Sequence, residues 1–333
     1  MGVDGDASTR GSADEVDASG GDGAIGLGGA SDGAPRVARA RLSRGLALRR
    51  ALVGWVVLCS GLGLAVGVGE SVSAHLDLPP PVGALLMALV MSGIVAPLII
   101  TLRHRIDRGT VGSLGWSRLM STPLALGLGI GLASGAVCWV PAVALGWVRI
   151  DGIDPAAFAA FLLLNGLVLL LYEALPEELA IRGYMWTNLR DGFGPRLATL
   201  ASTLVFPLSG LVVVPIAAVS AAALGGPAPA TAVFPADPVT YVIQLVLFGF
   251  GLAAARALPL QGALLAAIAF HWTQLTVNRI VLGGTQWIDS GVSVTLAQPG
   301  AVALLLVHLL VAWAAFAAVG RVLRRGRRGS RAP

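Results

Sequence analysis

Long apolar stretches separated by short polar connections dominate the pattern of this chain. Stretches close to the roughly 20 residues needed to cross hydrocarbon as a helix lie near residues 51–68, 82–102, 121–148, 157–175, 197–222, 239–257, 260–282 and 300–320. The pattern predicts an all-α, polytopic transmembrane helix bundle of about eight spans.

Composition agrees with the pattern. Of the 333 residues, 56% are hydrophobic and only 12% charged, with a mean hydropathy of +0.80, outside the range of ordinary water-soluble domains. Arginines mark orientation, because positive residues concentrate in cytoplasmic loops. Arg36, Arg39, Arg41, Arg44, Arg49 and Arg50 precede the first span, and Arg321, Arg324, Arg325, Arg327, Arg328 and Arg331 follow the last. The loops with Arg103, Arg105, Arg108 and Arg118 and with Arg190 and Arg196 fall on the same side, whereas residues 221–238 carry no arginine. Both termini are therefore expected in the cytoplasm, as an even number of spans requires. The same rule accounts for a pI near 10.2, so no nucleic-acid partner is expected. All 23 basic residues are arginine, and Ala, Gly and Val abound, which reads as GC-rich coding bias and suggests a bacterial plasma membrane.

Residues 1–34 form a Gly, Ser, Asp and Ala tract too polar to bury a core. The expected organisation is a disordered tail over 1–45, three spans over 46–156, a core over 157–285, an outer loop and last span over 286–320, and a basic tail over 321–333. The tail lacks the charged start and short apolar core of a cleavable signal. Cys59 and Cys138 both fall within spans and read as packing residues. Gly127, Gly131 and Gly135 show the small-xxx-small spacing that lets helices approach closely.

Candidate chemistry gathers where charge meets the apolar pattern. Glu177-Glu178-Leu179-Ala180-Ile181-Arg182-Gly183-Tyr184 sets two adjacent carboxylates and an arginine in or just beneath the membrane, where ionisable groups are expensive and mark function. Glu178 and Arg182 are spaced i and i+4, so they can pair on a helix. Glu177 then shares a face with Glu173, and Pro176 between them bends the helix. A buried carboxylate is suited to take a proton from water. A salt-bridged cap at a helix end explains the same residues without catalysis. His271 lies roughly eleven residues into the seventh span, about 16 Å along it, with Gln274 and Asn278 on the same face. It can face an oxyanion, ligate a metal or satisfy a neighbouring carbonyl.

The run Leu175 to Tyr184 closely resembles the Glu-Glu-x-x-x-Arg signature of the CPBP family, the CAAX proteases and bacteriocin-processing enzymes that include type II CAAX prenyl endopeptidases. The segment from Phe248-Gly249-Phe250-Gly251 through Gly262 to Phe270-His271 is similar to the family's last segment, and the resemblance covers about residues 165–282. It implies an intramembrane endopeptidase acting on membrane-associated peptides or proteins, with Glu177 as base, Glu178 and Arg182 in support, and His271 polarising the scissile carbonyl.

Two motif positions depart from that pattern. Phe206-Pro207-Leu208-Ser209-Gly210 puts glycine where the family has a second histidine, and His271-Trp272-Thr273-Gln274-Leu275 ends in leucine where it has Asn or Asp. Zinc, which prefers four N, S or O ligands, is poorly served. The weak candidates are Glu177, His271 and, as a substitute for the missing histidine, His308, while Gln274 is the substitute for the missing amide. Three functional readings follow: a peptidase; a catalytically lapsed relative that scaffolds or regulates membrane partners; and a proton-coupled transporter using Glu173, Glu177 and His271 as a relay. No internal repeat supports the last.

Overall fold

A computed structural model of the chain describes residues 42–230, 232–233 and 237–329. The expected tail therefore lies almost wholly outside the described residues, as do the arginines at 36, 39, 41 and 331.

Eight long helices appear among the described residues: α1 Arg44–His75, α2 Pro80–Thr101, α3 Ser121–Ala144, α4 Pro155–Phe193, α5 Pro195–Ala223, α6 Pro238–Arg256, α7 Ala263–Val281 and α8 Leu304–Gly329. Seven stretches of helix are long and apolar enough to span a bilayer, those of α1 to α6 and Pro299–Arg327, which contains most of α8. The chain is an integral membrane protein. Leu163, Val219 and Leu89 remain exposed on outer faces, as lipid-facing side chains do.

The remaining helix, α7, is the most enclosed. Its apolar run is interrupted by His271, Gln274, Asn278 and Arg279, yet 13 of its 19 residues are buried. Other helices rather than lipid surround it, so its polar side chains meet protein partners. The Gly127, Gly131 and Gly135 stripe of α3 packs on it: a Cβ at Gly127 would lie 2.4 Å from the Ala266 carbonyl oxygen.

Helix starts follow local chemistry. Asp154 accepts from the Ala156 and Ala157 N–H groups ahead of Pro155, and Asp237 accepts from the Thr240 N–H ahead of Pro238, both with proline at the first helical position, where its missing donor costs nothing. Ser43 caps α1, which begins before its apolar run and carries Arg44, Arg49 and Arg50 within the helix.

The fourth helix departs from expectation. The apolar run suggested an end near residue 175, but α4 continues for 39 residues because it passes through two π-helical segments, Leu170–Ala174 and Glu178–Met185, on either side of Pro176. Proline lacks an N–H and crowds the carbonyl of the preceding turn, so the ladder widens instead of breaking. The Leu175 N–H reaches back to the Leu170 carbonyl and the Trp186 N–H to Ile181.

A second difference lies between spans. Residues 148–153 form a strand, β1 Val148–Ile153, where the third apolar stretch was expected to end. It pairs antiparallel with β4 Val292–Leu296, and a small hairpin, β2 Gly284–Thr285 and β3 Ile288–Asp289, follows α7. At the opposite end of the helices, the Leu264 N–H bonds the Gly115 carbonyl at 3.1 Å, joining the α2–α3 connection to the α6–α7 corner.

Candidate active site

The two adjacent glutamates have different surroundings. Glu178 is fully buried, and its Oε1 accepts from Arg182 Nη1 at 3.2 Å and from His271 Nδ1 at 3.1 Å. The Arg182 guanidinium is also fully buried, with its Cζ 5.4 Å from the centroid of the Phe206 ring. The pair that i, i+4 spacing predicted is present, and α7 adds the histidine. Because the carboxylate only accepts, His271 Nδ1 carries the proton, and Nε2 is the nitrogen left for the cavity. Phe248 holds the ring edge-on at 4.7 Å.

Glu177 instead lines a cavity of about 270 Å³ between α1, α4, α5, α6, α7 and α8. Glu173, Tyr241, Gln244, His271 and Gln274 share its wall. Gln274 is 1% exposed and its Oε1 has no hydrogen-bond partner among the described residues. Arg279 pairs with Glu173 and donates to Asn165 Oδ1 at 2.9 Å, which removes Glu173 from the role of a free relay partner for Glu177.

Several wall residues carry no sequence signal. Cys59, read as packing, is buried but lines the cavity beside Ser209. Tyr241 and Gln244 come from α6, and nothing in their spacing points at α4. Only the folded chain brings them to Glu177.

The motif position occupied by Gly210 also lies on the wall, and a Cβ there would sit 2.5 Å from the Val233 carbonyl oxygen. Main chain from the α5–α6 connection fills the space where a histidine side chain would begin. The structure does not bring His308 into its place. His308 Nε2 donates to the Gly131 carbonyl at 3.2 Å, and its Nδ1 lies 3.1 Å from Asn278 Oδ1. It is therefore held at the α3–α7–α8 contact and is absent from the cavity wall.

Metal binding is equally poorly served. Among the described residues no three His, Cys, Asp or Glu side chains gather as a metal ion needs, and Glu178 Oε1 and His271 Nδ1 already face each other. The donor set of Glu177, His271 and His308 does not fit a resident metal.

Residues 159–276, running from α4 into α7, match the family model described as type II CAAX prenyl endopeptidase Rce1-like. That segment is similar to the Rce1-like family. The match contains Glu177, Glu178, Arg182, Gly210, His271 and Gln274 and excludes α1 to α3 and α8. The matched segment's helices carry most of the cavity wall, while α1 contributes Leu58, Cys59 and Leu62 and α8 contributes Leu309 from outside it. No curated protein and no solved structure matches the chain.

Proposed function

We propose that the protein is an intramembrane endopeptidase that hydrolyses a peptide bond of a membrane-associated protein or peptide, with Glu177 as general base. The observation that carries this reading is the division between the two carboxylates: Glu178 is locked between Arg182 and His271, while Glu177 opens on the cavity. A base needs a carboxylate free to take a proton, and a positioning group needs one that is not.

Glu177 removes a proton from water as the oxygen attacks the scissile carbonyl carbon. The carbonyl oxygen becomes an oxyanion on the wall lined by the Gln274 amide and by His271, whose Nδ1 is held by Glu178. Collapse of the tetrahedral intermediate breaks the C–N bond, and Glu177 returns the proton to the leaving amine. Gln274 lies one residue before the position at which the family carries Asn or Asp, and its place on the cavity wall, where its side-chain NH2 can act as the donor, supports its substituting there. The arginine distribution supports cytoplasmic termini, placing the arginine-bearing connections on the cytoplasmic side.

A second reading, a lapsed relative that binds membrane segments without cutting them, is favoured by the Val233 main chain against Gly210. Turnover decides between the two. Purified protein in nanodiscs is given a panel of quenched, membrane-tethered peptides, and wild type is compared with Glu177→Gln. Cleavage that falls by about 10²- to 10⁴-fold in Glu177→Gln supports the peptidase. Binding without cleavage in the wild type supports the lapsed relative.

A further inference from the structure

We propose that Arg256 is a positioning residue for this site, holding the π-helical register of α4 that aims the two glutamates at α7. The proposal rests on the peptidase reading for its turnover readout.

Arg256 ends α6 and is 7% exposed. Arg50, Arg103, Arg182 and Arg279 each face a carboxylate, but among the described residues Arg256 forms no ion pair. A buried cation without a counter-charge is costly, so what it touches matters. Its Nε donates to the Arg182 carbonyl at 3.1 Å, its Nη2 donates to the Leu114 carbonyl at 3.0 Å, and its Cζ lies 4.8 Å from the centroid of the Trp186 ring. The α2–α3 connection makes room with glycine, since a Cβ at Gly115 would lie 2.5 Å from the Arg256 Cζ.

The Arg182 carbonyl is the one that a π turn orphans. Trp186 sends its N–H back five residues to Ile181, and α spacing resumes from Trp186 to Phe193. When a ladder returns from five-residue to four-residue spacing, one carbonyl is skipped, and the next after Ile181 belongs to Arg182. Arg256 supplies the donor that the helix cannot. Without it, reversion of Glu178–Met185 to α geometry would satisfy that carbonyl within the helix. One residue of register is about 100° of rotation, enough to turn Glu178 away from His271 and Glu177 away from the cavity.

The test compares wild type, Arg256→Met and Arg256→Lys in nanodiscs, because an ammonium can still donate to the Arg182 carbonyl and methionine cannot. Three quantities are read: kcat and KM on the tethered peptide, thermal midpoint, and amide hydrogen exchange by mass spectrometry. The expected result for Arg256→Met is a kcat lowered by about 10- to 100-fold, the scale of a misplaced catalytic group. KM stays within about twofold, exchange accelerates in segment 178–189 alone, and Arg256→Lys recovers part of both. Wild-type kcat and unchanged exchange in Arg256→Met would overturn the proposal. So would a fallen midpoint with exchange accelerated in every helix, which marks an ordinary fold stabiliser. If wild type cleaves no peptide, the peptidase reading fails on its own and exchange decides: acceleration confined to 178–189 with recovery in Arg256→Lys upholds the positioning role, and its absence sinks it.

Discussion

Glu177 and Glu178 are neighbours in the chain and opposites in stability. Removing the arginine from Glu178 leaves a fully buried carboxylate with His271 as its remaining partner, and breaking a buried pair from one side costs on the order of 3–5 kcal/mol. Arg182→Met is therefore expected to lower the thermal midpoint in detergent sharply. Glu177→Gln changes a group on a cavity wall and is expected to leave that midpoint within about 2 °C, a stability change below roughly 0.5 kcal/mol. Equal losses in the two variants would contradict the division between the carboxylates. At this scale the i, i+4 spacing made the Glu178–Arg182 pair legible. The Glu178–His271 contact was not, because 93 residues separate them and nothing local records which carboxylate α7 will meet.

At the scale of elements, the glycine stripe of α3 was legible and its partner was not. Gly127→Val pushes a branched side chain into the Ala266 carbonyl, 2.4 Å from the Cβ position, so α3 and α7 must separate at a cost of about 1–3 kcal/mol. Gly129 has nothing within 4 Å of its Cβ position, and Gly129→Val is expected to be close to neutral. Unfolding in a mixed-detergent titration distinguishes them.

The cap of α6 gives a pH expectation. Hydrogen bonds from the Thr240 side chain and the Thr240 N–H hold the Asp237 carboxyl below its ordinary value. A depressed carboxylate contributes its stability fully above the unfolded value and loses it as pH falls through the lower, folded one. The first turn of α6 is thus expected to fray only under strong acid. Amide protection at Thr240 should persist to a pH below the ordinary Asp range in wild type. In Asp237→Ala it should be weak at all pH values.

For elements, hydropathy located the helices because lipid demands length and apolarity. It mislaid the end of α4, since a π turn that carries a helix through Pro176 is a property of the surrounding contacts and not of the apolar run. It did not set α7 apart from the other spans, although α7 is the most enclosed helix and carries His271 and Gln274 on the cavity wall.

For the whole molecule, orientation is the next expectation to test. With the arginine-bearing connections cytoplasmic, Thr285→Cys in the β2–β3 hairpin reacts with a membrane-impermeant maleimide on intact cells, whereas Arg196→Cys reacts only after permeabilisation. The reverse pattern would invert the proposed sidedness and place the arginines against the usual rule.

By itself, the sequence determined that this is an integral membrane bundle of about eight helices, which residues form its glycine seam, and which short run carries the costly charges. Those properties are local: hydrocarbon thickness sets length, burial cost singles out ionisable groups, and a helical repeat sets who can pair within one turn. The tertiary structure decided that Glu178 rather than Glu177 meets His271, that His308 belongs to a helix seam, and that main chain rather than a histidine fills the space at Gly210. It also brought Arg256 to the carbonyl left over by a π turn. Each of those outcomes depends on helices distant in sequence meeting at a particular rotation, and rotation about a helix axis is set by packing among all the partners at once.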